Sequence, residues 1–402
     1  MGSCVLLMRQ ACYVPTTSVL AVPRISATVQ GVPASGIRRI FEPSSRMPDV
    51  IQLSVGEPQL PVAEHIRAAA ALAWREDRTG YTANSGILPL REAIAAKLTR
   101  HNGYTADISQ IHVTAGGAQA LHAALSFAVE PGGEVLVPDP GYSTFTMITR
   151  LLGATPVSYP LHAAADFLPD IAQLERLVTA RTRAIVVNSP SNPLGVIFPR
   201  AVMEQLLAFA ARHDLWVISD EVYEYLTYQP GFTSMASLDS EGRVLSVYSL
   251  SKTYGLTGGR IGYLVTPPGM DERFRAYQEA VVSCVDEPSQ WAAVAAITGP
   301  QDGVVDSREH YRRNLAAATA ALDERGFTYP APVGAFYLWV DVSHASDDDV
   351  AAWAERFLYE QRVAVAPGTA FGAAGEGWIR LSCAGKPEPL VEAIRRLPAP
   401  PR

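Results

Sequence analysis

The sequence predicts an α/β protein, with a large domain of mostly parallel sheet flanked by helices and a smaller α+β domain after it. Three observations predict this. From about residue 80, apolar runs of strand length alternate with segments of helical period. The runs are continuously hydrophobic, as strands covered on both faces are. Toward the C-terminus the pattern changes to long amphipathic helices with strands between them.

The elements follow in order. LREAIAAKLTRH reads as a helix with Lys97 on its polar face. HVTAGGAQALHAALSFA reads as a strand, a glycine turn and a helix. In that helix Leu121, Ala124, Leu125 and Ala128 fall at i, i+3, i+4 and i+7, one apolar face. EVLVPDP and RAIVVNSPSNPLG are apolar runs ended by turn residues. The helix PRAVMEQLLAFAARH comes next, then the strand-like LWVISDEVY, VLSVYSL and RIGYLVTP. HYRRNLAAATAALDERG is a long amphipathic helix. GAFYLWVDVS is a strand, and DDDVAAWAERFLYEQRV is a helix whose acidic start suits the helix dipole. VAVAPGTAFG and WIRLSCA read as two further strands.

Composition narrows the function classes. A chain of 402 residues that is 48% hydrophobic and 18% charged fits a globular enzyme of two domains. The net charge of −7, with no basic cluster, argues against a nucleic-acid partner. No apolar run reaches the roughly 20 residues that span a bilayer. Cys4, Cys12, Cys284 and Cys383 have neither zinc-like nor redox spacing, so a reducing, cytoplasmic setting is expected. The histidines form no metal-ligand spacing, and no metal is expected. The first 41 residues carry arginines and no acid, which reads as an extension rather than a secretory signal.

The polar residues of interest follow strand ends: Thr114–Ala118, Pro138–Tyr142, Asn188–Asn192, Asp220–Tyr223 and Ser249–Lys252. That edge of an α/β sheet is where ligands bind. The chain has only three lysines, Lys97, Lys252 and Lys386. Lys386 lies in a proline-rich turn. Lys252 alone follows a strand and sits among hydroxyls, glycines and an arginine, in YSLSKTYGLTGGRIGY. Such a lysine can form a Schiff base with an aldehyde cofactor, with Ser249 and Arg260 near a phosphate. A solvated loop lysine is the plainer alternative. Backbone amides at Gly117 and Ala118 start a helix and suit an anion. Asp220 can pair with a protonated pyridine nitrogen or simply cap a helix. Tyr223 and Asn192 can bond a ring hydroxyl, and Tyr142 can stack on a ring or merely pack. Arg380 can hold a substrate carboxylate or form a surface ion pair.

In order, LSVGEP, GYTANSGILPLREAIA, VTAGGAQAL, VPDPGY, NSPSNPLG, SDEVY, SLSKTYGLTGGRIGY, GAFYLWVD, VAVAPGTAFG and WIRLSCA carry a resemblance. The chain resembles the class I/II aminotransferases, fold-type I enzymes that use pyridoxal 5′-phosphate, and most of all their bacterial aspartate/aromatic branch. The resemblance runs from about Ser26 to about Leu397. It implies an internal aldimine on Lys252, which then shuttles the proton between Cα and C4′. Asp220 would face the pyridine nitrogen, Asn192 and Tyr223 the ring oxygen, and Tyr142 the ring face. Gly117, Ala118, Ser249 and Arg260 would hold the phosphate. Tyr81 would reach the phosphate of a neighbouring subunit, making a homodimer the active unit. Arg380 would hold the α-carboxylate, with Asn192 and Gly56 lining the substrate pocket. The implied division is 1–25 extension, 26–47 N-terminal part of the small domain, 48–290 large cofactor-binding domain and 291–402 small domain.

Three departures bear on the substrate. Ala118 stands where some aspartate-using members carry lysine, which puts acidic donors in question unless another arginine substitutes. Leu194 replaces a threonine in the Asn-Pro-Thr-Gly turn, a change expected at the pocket rim. Gln59-Leu60 replaces Asp-Phe after Gly-Glu-Pro. Together they point to a neutral, aromatic or specialised biosynthetic substrate. The expected reaction is ping-pong transfer of an amino group from an L-amino acid to a 2-oxo acid. A β-lyase, a synthase or cyclase, or an amino-acid oxidase on the same fold is the alternative. An aminotransferase-like regulator is remote, because the segment before residue 48 is too short for a DNA-binding module.

Overall fold

The computed structural model describes residues 23–401. The expected extension over 1–25, with Cys4 and Cys12, lies almost wholly outside the described residues. The chain enters the sheets through β1 (Ile51–Gln52), which is only two residues long. The main sheet then takes β2 (Ile111–Thr114), β3 (Glu134–Asp139), β4 (Thr155–Pro160), β5 (Thr182–Asn188), β6 (Trp216–Asp220), β7 (Val244–Ser249) and β8 (Gly262–Val265). Their order is β2-β8-β7-β6-β5-β3-β4. Pairs from β7 through β6, β5 and β3 to β4 are parallel, and β8 runs antiparallel to both of its neighbours.

The sheet is covered on both faces, and β5 shows how. Ala184 and Val186 pack on one side with helix Gly117–Ala128, while Ile185 and Val187 pack on the other with helix Arg200–Arg212. Alternation in a strand sends successive side chains to opposite faces. Because both faces are buried here, both sets must be apolar, which is why the sequence reads as an unbroken run. Leu121, Ala124, Leu125 and Ala128 are all buried in the first of these layers.

Strand β4 has no counterpart in the sequence reading. It carries Pro156 and Pro160 and is only partly buried, as an edge strand can be. Lys97 is a correction: it is not on a polar face. It is 3% exposed and pairs with the equally buried Glu224, because helix Leu88–Lys97 is covered along that side. Lys386 occupies the N-cap position of helix Pro387–Arg396, just after a bend, and its side chain makes no cap bond.

The C-terminal part holds β9 (Tyr337–Asp341), β10 (Val363–Ala364), β11 (Ala366–Pro367) and β12 (Trp378–Ser382). Order β11-β12-β9 is antiparallel throughout. Strand β1 pairs in parallel with β10, so the chain near residue 51 joins this part. Its core combines Ile40 and Leu53 with residues between Leu315 and Leu397. The helices Asp302–Glu324 and Val350–Gln361 bury one face each against it.

Candidate active site

The ends of β5, β6 and β7 open into one cleft of roughly 640 Å³. Gly56, Gly117, Ala118, Tyr142, Asn192, Asp220, Tyr223, Ser249, Lys252, Arg260 and Arg380 all line it. The structure therefore brings together every expected site residue except Tyr81. Tyr81 is 93% exposed and lies outside this cleft.

Lys252 sits on the one-turn helix Leu250–Thr253, which β7 delivers directly into the cleft. Its Nζ donates to the Gly56 carbonyl at 2.7 Å. Burial lowers its pKa to about 8, with Arg380 and Arg260 adding repulsion and Glu57 and Asp220 opposing. An amine so placed gives up its proton far more readily than an ordinary lysine, which favours its use as a nucleophile or proton acceptor.

Asp220 is the last residue of β6, not a helix cap, and is 3% exposed. Its Oδ1 accepts from the Val222 N–H at 3.3 Å. Burial pushes its carboxyl up to about 7, the Val222 bond opposes, and the Glu221 charge adds. A buried carboxylate in that state favours a cationic partner.

Opposite stands Arg380, on β12 and 2% exposed, so it is not a surface ion pair. Nη1 donates to Asn192 Oδ1 at 2.8 Å and Nη2 to the Ser54 carbonyl at 2.6 Å. Its Nε is buried with no partner among the described residues. The guanidinium carbon lies 4.4 Å from the Tyr337 ring centroid and 4.8 Å from that of Phe371. Asn192 is itself fixed by its N–H, which donates to Asn188 Oδ1 at 2.8 Å.

A cradle lies at the other end. Gly116 caps helix Gly117–Ala128 at φ 80°, and the first amides of a helix lack intrahelical acceptors. A Cβ on Gly116 would stand 2.5 Å from Arg260 Nη2, and one on Gly262 would stand 2.7 Å from the Gly117 nitrogen. Only glycine lets turn, strand and arginine crowd so closely. Ser249 Oγ accepts from the Ser251 N–H at 3.1 Å and faces the same space. Hydroxyl, helix amides and guanidinium together suit a phosphate.

Two departures prove to lie away from the cleft. Leu194 is fully buried in the core beside Phe198 and Leu206, so the lost hydroxyl does not alter the rim. Gln59 is exposed, near Gly385. The sequence reading missed Tyr337, Glu57, Thr257 and the wall formed by Ile37, Arg38 and Phe41. Tyr337 was legible in principle. In β9, Leu338 and Val340 serve the core, so by alternation Tyr337 faces the other way.

A sheet delivering a lysine, a carboxylate and an anion cradle to one cleft, with an arginine reaching it from a strand of a second sheet, defines a fold-type I transferase. The chain belongs to the aminotransferase class I and II family, whose model matches residues 48–397. It is an aminotransferase. The aromatic-amino-acid aminotransferase 2 of Thermococcus litoralis is 35% identical over 93% of this chain and 97% of its own. An aspartate/prephenate aminotransferase of Thermus thermophilus is 36% identical over 87% and 90%. Among solved structures, the Thermus thermophilus aspartate aminotransferase with maleate superposes with a TM-score of 0.88. It is 34% identical and covers 93% of this chain and 99% of that one.

Proposed function

We propose that this aminotransferase works with pyridoxal 5′-phosphate held in the cleft, and passes an amino group from an L-amino acid to a 2-oxo acid in two half-reactions. The observation that carries this is the convergence on one cleft of Lys252, with its lowered pKa, buried Asp220 and Arg380, whose Nε has no partner among the described residues. The residues fit the group: the cradle at Gly117, Ala118, Ser249 and Arg260 suits its phosphate, and Asp220 suits a ring nitrogen. When bound, the cofactor supplies an aldehyde for Schiff-base exchange and a ring that accepts an electron pair.

The chain's own residues do the rest. Asp220 keeps the ring nitrogen protonated. Asn192 and Tyr223 bond the ring oxygen, and Tyr142 covers the ring face. Arg380 holds the substrate α-carboxylate, with Asn192 and Gly56 shaping the pocket. Lys252 Nζ would act as the base that takes the proton from the substrate Cα and as the acid that returns it.

The same reading makes the active unit a homodimer in which Tyr81 reaches the partner's cofactor phosphate. Leu72, Trp74, Tyr81, Val281 and Val282 are exposed, which supports a second copy as their cover. It also divides the chain into the large domain 48–290 and the small domain 291–402, with 26–47 joining the latter. The shared core of Ile40 and Leu53 with Leu315–Leu397 supports that. A cytoplasmic setting is supported by the free thiols Cys284 and Cys383. Among the described residues no helix is long and apolar enough to cross a membrane. The wall of Ile37, Phe41 and Met147 beside Arg38 makes aromatic and acidic amino acids the first donors to test.

Absorption in the near-visible range tests this. The protein reconstituted with pyridoxal phosphate should show a yellow band that an amino acid alone bleaches once, stoichiometrically. Continuous ammonia release would indicate a lyase or an oxidase instead. Lys252→Ala should lose the wild-type band and slow transamination by roughly 10²–10⁴-fold or more; full activity in this variant would end the proposal.

A further inference from the structure

Tyr337 stands in the cleft with no role in the scheme above. It opens β9, is 1% exposed, and touches two residues that the scheme does use. Its hydroxyl lies 2.8 Å from the Tyr223 hydroxyl. Its ring lies 4.4 Å from the guanidinium carbon of Arg380. The ring meets that of Tyr223 edge-on, with centroids 5.7 Å apart. A Cβ on Gly56 would stand 1.9 Å from the Tyr337 oxygen, so this hydroxyl occupies space that only glycine leaves. The Gly56 carbonyl in turn receives Lys252.

We infer that Tyr337 is a positioning residue with two separable parts: its hydroxyl aims the Tyr223 hydroxyl at the cofactor's ring oxygen, and its ring holds the Arg380 guanidinium for the substrate carboxylate. The assignment rests on the cofactor reading above. Proton counting supports the first part. Tyr223 has one hydroxyl proton, and spends it on the ring oxygen. The proton in the 2.8 Å contact must then come from Tyr337. A hydroxyl that accepts such a bond is a stronger donor itself. Burial raises the Tyr337 pKa, the Arg380 charge opposing, so the phenol keeps the proton it must give.

The second part follows from the geometry of Arg380. Two of its nitrogens are tied to Asn192 and Ser54, and its face lies against an aromatic ring. A cation on a ring face is stabilised while its edge stays free for an anion. Removing the hydroxyl leaves that ring in place. Removing the ring disturbs both parts.

The test uses the full-length protein reconstituted with pyridoxal phosphate, with two readouts. One is the pH midpoint of the visible band, which reports on the hydrogen bonding of the ring oxygen. The other is the affinity for propionate, a simple carboxylate probe, read from the spectral change it induces. Tyr337→Phe should raise the midpoint by roughly half a pH unit, because the ring oxygen loses stabilisation. Its propionate affinity should stay at the wild-type level. Tyr337→Leu should show the midpoint shift and also bind propionate roughly fivefold more weakly. Tyr337→Phe titrating with wild type overturns the assignment, as does Tyr337→Leu binding propionate like wild type. A role as mere filler predicts that both variants move both readouts together, which also overturns it. Tyr337→Phe is nearly isosteric and keeps the question decidable should Tyr337→Leu not fold. A wild-type protein with no band at all removes the cofactor reading itself; a titrating wild type beside an unshifted Tyr337→Phe removes only this assignment.

Discussion

Asp220 and Arg380 show what burial does to single side chains. Asp220 holds its proton up to about pH 7 in the folded chain, against an ordinary aspartate value of 3.8. Between those values the folded protein binds a proton that the unfolded chain has released. The stability of the cofactor-free protein therefore falls as pH rises through that window. Asp220→Asn should flatten this part of the slope, which thermal melts across the window would show; parallel slopes would mean that Asp220 does not titrate there. Arg380 offers a planar fork that lysine cannot copy. Arg380→Lys should lower kcat/KM roughly 10- to 100-fold across amino donors while leaving the visible band in place. A band lost along with activity would put Arg380 in cofactor binding instead.

At the scale of elements, the turn after β6 is fastened from behind. Glu221 accepts from Ser219 Oγ at 2.9 Å, Ser234 Oγ at 3.0 Å, the Met235 N–H at 2.9 Å and the Tyr248 hydroxyl at 3.0 Å. Glu224 pairs with Lys97 and accepts from Asn102 Nδ2 at 2.7 Å. The Lys97 Nζ also lies 4.5 Å from the Tyr248 ring centroid. Helix Leu88–Lys97 is thereby tied to the turn that carries Asp220 and Tyr223. Removing one partner leaves the other charge buried alone. Lys97→Met should cost about 3–5 kcal/mol in urea unfolding, and Lys97→Met/Glu224→Leu should recover most of it. A single variant as stable as wild type would show that the pair does not hold this junction. The sequence alone puts Lys97 on a polar helix face within LREAIAAKLTRH. The tyrosines that enclose it come from residues 225, 248 and 263, far along the chain.

At the scale of the whole molecule, Tyr81 is the residue that one chain leaves idle. If it completes the partner's site, two defective chains can repair each other. Lys252→Ala and Tyr81→Ala subunits, unfolded and reassembled together, should form mixed dimers with one intact site. Activity should return to about a quarter of wild type, the statistical share for random pairing. Activity no higher than that of the two variants measured apart would place Tyr81 outside the partner's site.

The mostly parallel sheet, the alternation of its strands and helices apart from β4, and the cleft residues Gly56, Gly117, Ala118, Tyr142, Asn192, Asp220, Tyr223, Ser249, Lys252, Arg260 and Arg380 were legible along the chain. Each of these depends on local information. A strand buried on both faces must be apolar throughout, a tight anion cradle requires glycine, and the chemistry requires a lysine where only three exist. What lay beyond the sequence was decided by contacts between distant segments. β4 forms because an edge needs little burial, and its prolines hid it. Leu194 went to the core and not to the rim. Tyr337 was placed between Tyr223 and Arg380, and Lys97 against Glu224, by strands and helices that lie far apart along the chain. Periodicity states which face of an element is apolar; only the packed chain decides what each face meets, because burial energy depends on the partner and not on position in the sequence.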